Sequence, residues 1–210
     1  MNFKQSRLTN LFIFFVLIMV GIWTYASLFG YMPYLDQWTR DFVLLLADSR
    51  IYLFARWITD FGSHPFLIPF TAVMGVGLWW LYEHYASAFI FAGGTLLSYL
   101  INRLIKLIVA RERPSILVEA HAQGYSFPSG HAMISIVCYG LLTYFICKKV
   151  SSERLKLFIY LVFSLLIFWI GLSRYIINVH YLTDVLAGFG IGFIILTIFI
   201  KIDKAGDLLE

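Results

Sequence analysis

Three short polar islands interrupt an otherwise apolar chain of 210 residues: Lys106 with Arg113-Pro114, then Pro128-Ser129-Gly130-His131, then Ser173-Arg174 followed by His180 and Asp184. Together they supply three cations, two histidines and a carboxylate. A site for phosphoryl transfer needs such a set, because its task is mainly positioning and charge neutralisation. Ionisable groups inside or beside membrane segments are costly, so each is a functional candidate.

His180 and Asp184 stand one turn apart if the chain is already helical there. The carboxylate can then hold one imidazole nitrogen and aim the other at a substrate, which makes His180 a nucleophile with an orienting partner. A structural His–Asp bond between helices would look the same in isolation. In the second island Ser129 is placed to cap a helix, leaving the amides of Gly130 and His131 open to an anion. A protonated His131 there can deliver a proton to a leaving alkoxide; an ordinary capped helix start has the same local pattern. Lys106 and Arg113, seven positions apart, are expected on one face at the end of a helix that Pro114 stops. Arg presents a planar fork to phosphate oxygens, and Lys a compact charge. Cations at a membrane edge also snorkel to lipid headgroups, and Arg111 and Glu112 are expected to do so.

The elements that must position these residues are membrane helices. Hydrophobic residues make up 60% of the chain and charged ones 13%, with a mean hydropathy of +0.81; a soluble domain carries about 25% charge. Uncharged runs cover 8–35, 61–82, 85–102, 120–147 (apolar from Ala132), 157–173 and 185–200. A spanning helix needs roughly 20 mostly apolar residues, so the expectation is an all-α, multi-pass membrane protein with six transmembrane helices in one domain, 1–210. The first run is too long for a signal-peptide core and reads as an uncleaved helix. Cys138 and Cys147, nine positions apart in one expected helix, cannot bridge.

Between the first and second spans, Leu35, Trp38, Phe42, Leu45 and Leu46 recur at helical spacing, as do Ile51, Phe54, Ala55 and Ile58, with Arg56 and Asp60 at i, i+4. Interfacial helices are expected here. They either shape a lipid entrance or simply connect the spans over the bundle. A raw Lys and Arg count does not orient the chain, but the cluster from Lys148-Lys149 to Lys156 in one short loop favours a cytoplasmic amino terminus. All three islands would then face outward.

The islands resemble the pattern of the type 2 phosphatidic acid phosphatase family: Lys, six residues, Arg-Pro; Pro-Ser-Gly-His; Ser-Arg, five residues, His, three residues, Asp. Every position is filled here, by Lys106, Arg113, Pro114, Pro128, Ser129, Gly130, His131, Ser173, Arg174, His180 and Asp184. The resemblance implies that His180 attacks phosphorus to form a phosphohistidine, oriented by Asp184. His131 would protonate the leaving group and later activate water, and Lys106, Arg113, Ser129, Gly130 and Arg174 would hold the phosphate oxygens. It implies no metal and no cofactor, and no nucleic-acid partner is expected. The implied substrate is a membrane lipid phosphate or diphosphate in the bilayer: phosphatidylglycerophosphate, undecaprenyl diphosphate or phosphatidic acid. A soluble phosphate ester, or a carrier that binds lipid phosphate without hydrolysing it, remain alternatives. Oligomeric state is not legible.

Overall fold

A computed structural model describes residues 3–47, 49–115 and 124–206. Six of its helices are long and apolar enough to cross a membrane: α1 (Phe3–Leu28), α5 (His64–Tyr82), α6 (Ala86–Val109), α7 (Gly130–Lys149), α8 (Glu153–Ile176) and α9 (Leu182–Gly206). Three short helices, α2 (Tyr34–Thr39), α3 (Phe42–Leu46) and α4 (Arg50–Ile58), and a 3-10 turn at Thr59–Gly62 lie between the first two. No strand occurs among the described residues. The six expected spans are all present; the beginning of the run at Ala120 lies outside the described residues.

The central helix is α7. Two-thirds of its apolar window is buried (67%), against 6% for α1, and α9, α8 and α6 pack around it. Lipid tails are as apolar as leucine, so helices in a bilayer associate by close packing rather than by hiding apolar surface. Gly188 and Gly192, four apart on α9, permit that contact: a Cβ at Gly188 would lie 2.6 Å from the Ser129 carbonyl oxygen, and one at Gly192 2.7 Å from that of Met133. Small residues thus draw the start of α9 onto the start of α7, where two of the polar islands sit.

The connecting segment folds over this same end of the bundle. α4 buries Tyr52, Ala55 and Ile58; Tyr52 and Ala55 join Ile176, Ile177 and Val179 in a small core at the end of α8, while Ile58 belongs to the main core. The stripe of Leu35, Trp38, Phe42 and Leu45 does not face inward as the periodicity of a soluble protein would dictate. Trp38 is 65% and Leu45 77% exposed, while Asp36, Thr39 and Val43 are buried. The apolar side is left to the bilayer and the polar side meets protein. Among the described residues no ion pair joins Arg56 to Asp60.

Candidate active site

Alternation of the six spans puts the end of α6, the start of α7, the end of α8 and the start of α9 on one side, and the polar islands meet there. α6 does not run on to Pro114. It ends at Val109, and Ala110 closes it at a left-handed φ of 49°. Arg113 therefore reaches the site from a loop rather than from the helical face it was expected to share with Lys106. Lys106 Nζ donates to the carbonyls of Tyr125 (2.5 Å) and Ser126 (3.1 Å). Arg113 donates through Nε to the Gly124 carbonyl at 2.9 Å and through Nη1 to that of Val179 at 2.6 Å.

Ser129 caps α7 as expected, its hydroxyl accepting from the Ala132 amide at 3.5 Å. The residue is fully buried, so the hydroxyl is turned into the cap. Asn102, buried on α6, donates to the Pro128 carbonyl at 3.1 Å and fixes the approach to this helix start. The Ser129 amide donates to the Asp184 carbonyl at 2.9 Å, tying the second island to the third. His131 is partly buried at the head of α7, within electrostatic reach of Arg174, His180 and His64.

His180 is not yet in a helix, since α9 begins at Leu182. The one-turn approach to Asp184 still holds, because Asp184 Oδ2 accepts the Tyr181 amide at 2.9 Å, which is the returning half of a capping box. The same oxygen lies 3.4 Å from His180 Nδ1, close enough for a charge contact although this buried nitrogen makes no aligned hydrogen bond. On the other side of the ring, Arg113 Nη1 is 3.2 Å from Nε2. A guanidinium only donates, so Nε2 accepts and the imidazole proton belongs on Nδ1, facing the carboxylate. Burial, reinforced by the charges of Lys106, Arg113 and Arg174 and only partly opposed by the Ser126 backbone, holds His180 well below the ordinary imidazole pKa. His180 is thus neutral at physiological pH, with its lone pair on Nε2 toward the cations.

Arg174 is the third cation whose charge reaches His180. Its Nη1 donates to the Thr59 hydroxyl at 2.8 Å, and its Nε is buried with no hydrogen-bond partner. No carboxylate among the described residues lies within ion-pair distance of Arg174 or Lys106. A partly buried cation without an ion-pair partner favours an anion that joins it.

Arg111 does not snorkel. It is 8% exposed, and its guanidinium bridges two buried carboxylates, Nη1 to Asp184 Oδ1 at 2.6 Å and Nη2 to Asp36 Oδ2 at 2.7 Å. These charges outweigh the effect of burial and raise its pKa. Asp36 went unnoticed in the sequence, although a lone carboxylate between Leu35 and Trp38 in a greasy stretch signals a buried cation elsewhere. Glu112 is exposed, as expected. Beside the site, an apolar cavity of about 690 Å³ between α5, α6 and α7 is lined by His64, Leu67, Thr71, Thr95, Tyr99 and Ile134.

Known proteins share this architecture. The chain is 27% identical over 188 residues to phosphatidylglycerophosphatase B of Bacillus subtilis (strain 168), covering 89% of each. It is 28% identical over 162 residues to dolichyldiphosphatase of Saccharomyces cerevisiae, covering 72% of this chain and 64% of that one. Its fold matches the crystal structure of a transmembrane PAP2 type phosphatidylglycerolphosphate phosphatase from Bacillus subtilis, with a TM-score of 0.72 at 23% identity over 92% of this chain and 94% of that one. Aquifex aeolicus LpxE is matched at a TM-score of 0.59 and 22% identity, over 77% of this chain and 93% of that one. The model of the PAP2 superfamily matches residues 87–206, a stretch that carries all three polar islands and the four helix ends between them. By that match this protein is a multi-pass membrane member of the PAP2 superfamily.

Proposed function

We propose that this protein is a metal-independent phosphatase that removes a phosphate from a membrane lipid phosphate or diphosphate, through a phosphohistidine on His180. The observation that carries this reading is the neutral His180, backed by Asp184 and facing Lys106, Arg113 and Arg174, with Arg174 Nε lacking a partner. A tetrahedral phosphoryl group between Nε2 and the cations would take Arg113's donors onto its oxygens and release the Nε2 lone pair. Nε2 then attacks phosphorus, the bond to the leaving oxygen breaks, and His131 gives that oxygen a proton. Asp184 stabilises the positive charge developing on the ring. In the second half His131 takes a proton from water, the resulting hydroxide attacks phosphorus, and the N–P bond breaks. Three cations supply the charge neutralisation that a metal supplies in other phosphatases.

Phosphatidylglycerophosphate, undecaprenyl diphosphate and phosphatidic acid are the proposed substrates; a phosphatidylglycerophosphatase relative supports the first, a dolichyldiphosphatase relative supports a long-chain lipid diphosphate such as the second, and the apolar cavity beside the site suits a lipid tail. The deciding experiment presents purified protein in detergent, with excess chelator, with these lipids and with soluble sugar phosphates. Phosphate release from one or more lipids is expected. Release from the soluble esters alone, or none after dialysis against chelator with recovery on adding magnesium, contradicts the reading.

The site is further proposed to face the extracytoplasmic side, with the Lys148 to Lys156 loop in the cytoplasm. Cys138 and Cys147 are buried and Ser151 is exposed. A Ser151→Cys variant in intact cells is therefore expected to resist an impermeant thiol reagent; labelling from outside inverts the orientation.

A further inference from the structure

We propose that Asp36 and Arg111 are positioning residues that hold the Asp184 carboxylate in register with His180, an inference that rests on the catalytic reading above. Asp36, on the short helix α2, is 1% exposed. Its Oδ1 accepts the Thr183 amide at 2.9 Å, and its Oδ2 accepts both the Thr183 hydroxyl at 2.6 Å and Arg111 Nη2 at 2.7 Å. Arg111 Nη1 in turn donates to Asp184 Oδ1 at 2.6 Å and to the Thr183 hydroxyl oxygen at 3.0 Å. The Tyr181 ring lies 4.1 Å from the guanidinium carbon and fixes its plane.

Division of the guanidinium is the essential point. An arginine facing a single carboxylate tends to take both oxygens with its fork. Here Asp36 claims one arm, so Arg111 takes only Oδ1 of Asp184. Oδ2 is left for the Tyr181 amide and for His180 Nδ1. Without Asp36, the fork would close on Asp184 and draw Oδ2 from the imidazole. Without Arg111, two carboxylates would face each other across Thr183. The network is built from α2, the loop after α6 and the start of α9, which gives the connecting segment a part in the chemistry.

The test is a double-mutant cycle on phosphoenzyme formation in purified enzyme. Asp36→Asn is expected to slow phosphorylation of His180 about 10-fold, as loss of an outer partner of an active-site ligand typically does, with KM unchanged. In an Asp184→Asn background the same change is expected to cost almost nothing, because Asp36 then has no carboxylate to place. Arg111→Lys is not expected to rescue Arg111→Gln, since an ammonium cannot divide itself between two carboxylates. Should Asp36→Asn fail to fold, Thr183→Val replaces it: it removes the shared hydroxyl, keeps all three charges, and is expected to show the same coupling with a smaller loss. Equal losses in both backgrounds, or a change in KM alone, overturn the inference and leave the catalytic reading intact. Full activity of Asp184→Asn instead overturns the role of Asp184, whatever Asp36 does.

Discussion

Arg111 is buried and Arg174 partly buried at the same end of the bundle, yet their surroundings are opposite. Arg111 lies between two carboxylates, a threonine hydroxyl and a tyrosine ring. Arg174 has one hydroxyl, from Thr59, and a buried Nε with no partner. A cation whose charge is already matched is part of the framework, whereas a cation held without an ion-pair partner is suited to an anion that comes and goes. The difference separates a clamp behind Asp184 from a cradle in front of His180, and the proposed nucleophile sits where the two meet.

Stability gives the largest contrast between the two. Arg111→Met leaves Asp36 and Asp184 buried without their cation, and breaking such a pair typically costs about 3–5 kcal/mol. Arg174→Met removes a charge that has no ion-pair partner among the described residues and feels Asp60 only at longer range, so its thermal unfolding in detergent is expected near the parent's temperature, with Arg111→Met well below. Equal destabilisation by both would erase the distinction between clamp and cradle.

Activity reverses the order for Arg174. A lysine there keeps the charge and loses the planar fork. Arg174→Lys is expected to lower turnover of purified enzyme about 10² to 10³-fold, the range for losing a donor that acts on the transition state. Near-normal turnover would assign Arg174 to the framework too.

A smaller effect lies in the pH dependence of phosphoenzyme formation. His180 is held below the usual imidazole value by burial and then by Lys106, Arg113 and Arg174. A depressed base stays unprotonated as pH falls, so with a good leaving group the rate should show no acid limb near about 6.5. Removing the charge in Lys106→Gln lets His180 bind its proton at higher pH, which moves the acid limb up. An unmoved limb would mean that the cradle does not set the state of the nucleophile.

Most of the site was legible in the sequence because its residues are local in the chain and unusual in their setting. Cations, histidines and Asp184 stand out against apolar runs, and helix signals around Ser129 place them at span ends. The clamp was not legible, because it is made at a distance: Asp36 meets residues 75 and 147 positions away. Arg111 read as a headgroup contact because cations at a membrane edge commonly snorkel. The stripe from Leu35 to Leu45 was legible as interfacial helices, but not which of its residues would meet protein. In a bilayer the apolar side of a helix faces outward, so the informative side was the polar one, Asp36 and Thr39. The extent of α6 also escaped the charge-free runs, because the helix carries Arg103 and Lys106 past the end of its apolar stretch.

The most direct test of the account follows phosphorus. A radiolabelled substrate with a very good leaving group is mixed with enzyme, quenched without acid, and the protein-bound label compared in His180→Ala and His131→Ala. His180→Ala is expected to carry no label. His131→Ala is expected to be phosphorylated and to accumulate the phosphoenzyme, because departure of such a group needs little protonation while water is no longer activated. Label on His180→Ala, or equal loss of label in both variants whatever the leaving group, would contradict the assignment of His180 as the nucleophile.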